Sequence, residues 1–116
     1  MTRREVSKQY NIPISVLEEY EAWGLCGAEK TCGAWQYDDT DLEQLGMVMT
    51  LYEIGFQHAE AEQYMRLLLG RGDSRAARLR MLEEKRKEML AEIHFQEQQL
   101  SKLDFWRYQL RNEKKE

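Results

Sequence analysis

Apolar positions along the chain fall into three rhythms. The first stretch opens with Thr2-Arg3-Arg4-Glu5, which fits a capping box: the Thr2 hydroxyl and the Glu5 carboxylate each take an orphan backbone N–H. A short helix through about Tyr10 follows, and Asn11 breaks it. Pro13 suits the first turn of a second helix, because its missing N–H would be unpaired there anyway. That helix carries Ile14, Leu17 and Tyr20 at a spacing that gives one apolar face, and Gly24 supplies its C-cap. The outline is helix, tight turn, helix. Residues 25–38 then lose the helical period. Leu25-Cys26 and Trp35-Gln36-Tyr37 are predicted to pair as two short strands around a glycine-containing loop. Thr40-Asp41-Leu42-Glu43 is a second capping box, opening a helix with Leu42, Leu45, Met49 and Tyr52 on one face and Gly55 at its end. A further helix, roughly Ala59 to Leu69, carries Ala61, Tyr64, Met65 and Leu68, and residues 70–74 form a hinge.

From about Ser74 onward there is neither glycine nor proline, which predicts one helix of about 40 residues, roughly 60 Å long. Leu79, Leu82, Arg86, Met89, Ile93, Gln96, Leu100, Leu103, Arg107 and Leu110 step by three and four without a break. This is the seam of a coiled coil, and its polar members weaken it while fixing register. A lone helix cannot bury such a stripe. With no second long helix in the chain, the expected partner is another copy, giving a homodimer through Leu79, Leu82, Met89, Ile93, Gln96, Leu100 and Leu103. The predicted division is a head, 1–73, and a dimerisation helix, 74–116. In an antiparallel dimer the Phe105-Trp106-Tyr108 cluster reaches the partner's head.

Composition narrows the functional classes. Of 116 residues, 33% are charged and 42% apolar, a globular balance. No run is long and apolar enough for a transmembrane helix, so no membrane partner is expected. The N-terminus lacks the apolar core of an export signal, which predicts a cytoplasmic protein with Cys26 and Cys32 as free thiols. Their C-x5-C spacing, with His58 and His94 far apart, makes no compact ligand set, so neither metal nor cofactor is expected. Charge is uneven: residues 1–74 hold 6 basic and 13 acidic side chains, residues 75–116 hold 11 and 8.

Three motifs in order resemble the MerR family of bacterial transcription regulators. Leu17-Glu18-Glu19-Tyr20-Glu21-Ala22-Trp23-Gly24-Leu25 lies on the family's Leu-Arg-Tyr-Tyr-Glu-x-x-Gly-Leu pattern. Gly33-Ala34-Trp35-Gln36-Tyr37, then Asp41-Leu42, occupies the place of its Gly-Tyr-Arg-x-Tyr wing. Leu51-Tyr52-Glu53-Ile54-Gly55-Phe56 matches its Leu-x-x-x-Gly-Phe signature, and a long helix follows in both. The resemblance implies a mainly α fold, with a winged helix-turn-helix head and a coiled-coil dimerisation helix. It also implies promoter DNA as the partner, contacted through Arg3, Arg4, Ser15, Glu18, Glu19, Tyr20, Lys30, Trp35, Gln36 and Tyr37, with Lys8 as a further phosphate contact.

The departures are specific. Glu18 stands where the family has arginine, Glu19 where it has tyrosine, and Trp35 where the wing has arginine. An acidic head weakens the phosphate attraction on which DNA affinity rests, although a carboxylate can accept a hydrogen bond from cytosine. The alternative is therefore a dimeric interaction module whose head binds RNA polymerase or another regulator. Trp35 is either a wing-tip contact or core. Glu18, Glu19 and Glu21 read as a solvated helix face. No nucleophile or metal accompanies them, and a head of about 70 residues leaves no sizeable pocket, so an enzyme is not expected.

Overall fold

A computed structural model describes residues 1–24 and 36–113. They form five helices: α1 (Arg3–Tyr10), α2 (Ile14–Trp23), α3 (Asp39–Glu53), α4 (His58–Leu69) and α5 (Arg75–Arg111). The fold is mainly α, as expected. The chain divides into two units, Met1–Arg78 and Leu79–Glu116.

Within the first unit, local chemistry sets the ends of the helices. The Thr2 hydroxyl accepts from the Glu5 N–H, and the Glu5 carboxylate accepts from the Thr2 N–H. These bonds hold the Glu5 carboxyl below the usual glutamate range. Asn11 takes the left-handed conformation at φ 55° and ends α1, and Gly24 does the same for α2 at φ 66°. The turn between them is locked by the Ser7 hydroxyl donating to the Ile12 carbonyl at 2.7 Å, while the Ile12 N–H returns to the Ser7 carbonyl.

α3 starts earlier than the Thr40 box predicts. Asp38 is its cap, accepting from the Asp41 N–H, and Asp41 reaches back to the Asp38 N–H. This Asp38 box overlaps the Thr40 box expected from the sequence. Asp41 decides between them, because its carboxylate is buried and also accepts from the Tyr20 hydroxyl at 2.8 Å.

The core joins all four short helices: Val6 of α1, Val16, Leu17, Tyr20 and Trp23 of α2, Leu45, Val48 and Leu51 of α3, and Ala61 and Met65 of α4. The buried face of α2 is thus rotated from the predicted Ile14-Leu17-Tyr20 stripe, and Ile14 is 44% exposed. On α3 the buried apolar set is Leu45, Val48 and Leu51, with Leu42, Met49 and Tyr52 half-buried at its margins. Arg66 of α4 donates to the Trp23 carbonyl at 3.0 Å, placing a cation on the C-terminus of α2.

The second unit is nearly all α5. This helix has 37 residues, none of them buried. Leu79, Met89, Ile93, Leu100, Leu103 and Leu110 all stand exposed, and Leu82 is half-exposed. No helix among the described residues is long and apolar enough to cross a membrane.

Candidate nucleic-acid interface

The outward face of α2 follows from its core face. Burying Val16, Leu17, Tyr20 and Trp23 turns Ile14, Ser15, Glu18 and Ala22 outward, and all four are exposed. Beside them α1 presents Arg3, Arg4 and Lys8, also exposed. Among the described residues neither Arg4 nor Lys8 has an ion pair, so both cations are available to a ligand.

The three glutamates of α2 have different surroundings. Glu18 is exposed and accepts no hydrogen bond among the described residues. Glu19 is clamped. The Tyr52 hydroxyl of α3 donates to its carboxylate at 2.6 Å, and His58 Nδ1 at the start of α4 lies 2.7 and 2.8 Å from its two oxygens. A carboxylate only accepts, so Nδ1 carries the hydrogen. Burial, and then the bond to Glu19, push the Tyr52 hydroxyl above the ordinary tyrosine range. Glu21 is held more firmly still, with only 13% of its side chain exposed. It receives Arg3 Nε at 3.0 Å and Arg3 Nη2 at 2.6 Å, and the Tyr37 hydroxyl donates to the same carboxylate. Burial works against the charge of Glu21, but the bonds from Arg3 and Tyr37 outweigh it and keep the carboxyl below the usual range. Burial, reinforced by Glu21, raises the Tyr37 hydroxyl. The expectation of a solvated acidic face therefore fits Glu18 alone.

The structure separates the sequence-predicted contact residues into three groups. Arg3, Arg4, Ser15, Glu18 and Gln36 lie at the surface, with Glu19 half-buried in its clamp. Tyr20 and Tyr37 are buried, 0% and 4% exposed, with rings stacked 6.3 Å apart, so they shape the interface from within and cannot touch a ligand directly. Tyr20 faces inward because it lies on the same side of α2 as Val16, Leu17 and Trp23, and its hydroxyl is satisfied by Asp41 and by the Gln44 side-chain amide at 2.6 Å. Lys30 and Trp35 lie outside the described residues, as do Cys26, Cys32 and most of the two predicted wing strands. Tyr37, just after that segment, is bonded to the N-terminus: its N–H donates to the Met1 carbonyl at 2.7 Å, and the Met1 ammonium donates to its carbonyl at 3.1 Å.

One hollow exceeds what the length of the head suggested. A groove of about 410 Å³ is lined by Tyr10, Asn11, Ile12, Leu42, Gly46, Met49 and Glu53. Its titratable lining is Tyr10 and Glu53, and no group of three or more potential metal ligands occurs among the described residues.

Arg3, Glu21 and Tyr37 were each visible in the sequence, but as separate features. Sequence spacing carries no signal for a carboxylate that joins residues 16 and 18 positions away.

Residues 1–68 match the model of the MerR HTH family of regulatory proteins. No curated protein matches the chain significantly. Among solved structures, the chain is similar to a MerR family transcriptional regulator from Listeria monocytogenes, with 19% identity and a TM-score of 0.70 over 97% of this chain and 86% of that one. It is also similar to a MerR family regulator from Bacillus thuringiensis, with 20% identity and a TM-score of 0.61 over 94% of this chain and 97% of that one. At these identities the likeness concerns the fold.

Proposed function

The chain belongs to the MerR family of helix-turn-helix regulatory proteins, and we propose that it binds promoter DNA as a homodimer. The observation that carries this reading is the outward face of α2, backed by the buried Leu17, Tyr20 and Trp23 and flanked by Arg4 and Lys8, which have no ion pair among the described residues. In this reading each head lays α2 in a major groove and the segment 25–35, with Lys30 and Trp35, on the flanking backbone. Ser15, Glu18 and Gln36 face the bases. Two heads read a pseudo-palindrome, and the dimer distorts the DNA between half-sites.

The α5 seam supports the dimer and its antiparallel sense. In a parallel pair Arg86 meets Arg86 and Arg107 meets Arg107 in the seam, placing like charges together. Antiparallel pairing about the midpoint between Ile93 and Gln96 sets Leu79 on Leu110, Leu82 on Arg107, Arg86 on Leu103, Met89 on Leu100 and Ile93 on Gln96. Each arginine then lies its apolar stem on a leucine and keeps its head in water. Arg107 is already paired with Asp104 at 3.2 Å on its own helix.

The test is fluorescence anisotropy with a duplex from the region upstream of the protein's own gene, titrated with salt. Counterion release gives a log–log slope of roughly −0.9 per phosphate neutralised. If Arg3, Arg4, Lys8 and Lys30 all engage in both heads, the slope reaches about −7 on that basis. Failure of the wild type to bind at low salt, with retention of RNA polymerase or another regulator on the immobilised protein, transfers the assignment to an interaction module.

A further inference from the structure

We propose that Glu21 sets the phosphate affinity of the head by withholding Arg3 from the DNA backbone; this rests on the DNA-binding reading above. Three observations lead to it. The Arg3 guanidinium donates through both Nε and Nη2 to the one Glu21 carboxylate, at 3.0 and 2.6 Å, in the fork geometry that makes arginine–carboxylate pairs strong. Glu21 is not free to leave. It is largely buried, and the Tyr37 hydroxyl fixes it from the other side. Tyr37 is itself 4% exposed and pinned to Met1 by two backbone bonds. Arg3 is therefore tied to a carboxylate anchored on the core side. Arg4, the next residue, is exposed with no such partner among the described residues.

The electrostatic consequence differs for the two neighbours. A phosphate approaching Arg4 meets an uncompensated cation. A phosphate approaching Arg3 meets a closed, neutral pair, with exposed Glu18 adding a further negative charge nearby. Counterion release counts only cations that neutralise phosphates, and Arg3 is already neutralised. Two adjacent arginines that look equivalent in the sequence thus have different roles. Arg4 binds the backbone, and Arg3 joins α1 to α2 and to the chain leaving the segment 25–35.

The experiment measures affinity and salt slope for a fluorescein-labelled duplex of arbitrary sequence, because phosphate contacts do not depend on sequence. The proteins are the wild type, Arg3→Ala, Arg4→Ala, Glu21→Gln and the double variant Arg3→Ala/Glu21→Gln. The expected wild-type slope is about −5, from Arg4, Lys8 and Lys30 in two heads. Arg3→Ala leaves that slope in place, whereas Arg4→Ala flattens it by about 2. Glu21→Gln releases Arg3, steepens the slope by about 2 and tightens binding at low salt by about threefold or more. The double variant returns to the wild-type slope, which separates release of Arg3 from mere removal of a negative charge. The proposal is overturned if Arg3→Ala flattens the slope as Arg4→Ala does, a result that does not depend on how well Glu21→Gln folds. It is also overturned if the double variant keeps the slope of Glu21→Gln. Absence of binding by all five proteins at low salt overturns the DNA-binding reading itself, and this inference with it.

Discussion

The two units of this chain solve the burial problem differently. The head closes on itself. Val6, Leu17, Tyr20, Leu45, Val48 and Met65 are fully buried among its four short helices. The long helix α5 buries none of its 37 residues, although its apolar positions are as regular as those of the head. Regular apolar spacing therefore means two things in one protein. In α2 it marks a face that is covered but for Ile14, and in α5 it marks a face of which no residue is buried. Two carboxylates of the head are likewise satisfied internally, Glu19 by Tyr52 and His58, and Glu21 by Arg3 and Tyr37. Along the long helix, Lys85 pairs with Glu88 and the seam residue Arg107 with Asp104, each on the helix's own surface, and none of the apolar seam positions is buried.

The largest effect is expected from charging the seam. Ile93→Asp with Leu100→Asp should abolish the dimer, because both would bury an unpaired carboxylate. Size-exclusion chromatography should report a monomer, while near-UV circular dichroism still shows an ordered head. Next in size is a change in the covered face. Leu17→Ala empties a fully buried site and should cost the head about 2–5 kcal/mol, read as a lower thermal midpoint. The seam should still dimerise in that variant.

Much of this fold is legible in the sequence because its causes are local. Thr2 with Glu5, Asn11 and Gly24 mark helix ends through bonds spanning a few residues. The seam of α5 is a periodicity and nothing more. What escapes the sequence is long-range. Two capping boxes overlap at residues 38–43, and the choice between them rests on Tyr20 reaching Asp41 from another helix. The fates of Glu19 and Glu21 depend on partners 16 to 39 residues away. Tyr20 carries a family motif and an apolar position at once, and only packing shows that it points inward.

A smaller effect is expected on the outward face of α2. Glu18→Arg removes a repulsive carboxylate and adds a bidentate donor, so it should tighten DNA binding by about 1–3 kcal/mol where it finds guanine. Anisotropy against duplexes with and without guanine at the contact measures this. Smaller again is the acid response of the head. The Glu21 carboxyl is held low, so its contribution is present at neutral pH and is lost as pH falls below the ordinary glutamate value of about 4.3. The thermal midpoint should fall across that range, and Arg3→Ala should make the fall shallower. The smallest expected effect is none. Cys26→Ser with Cys32→Ser should leave melting, dimer and DNA binding unchanged, and metal analysis of the wild type should find no stoichiometric zinc or iron.

In the proposed dimer the head is complete alone and the long helix is not. Sedimentation equilibrium of the full chain over a dilution series tests this most directly. The predicted result is a species of twice the chain mass at micromolar concentration, dissociating on dilution to a monomer. A monomer at every concentration would contradict it.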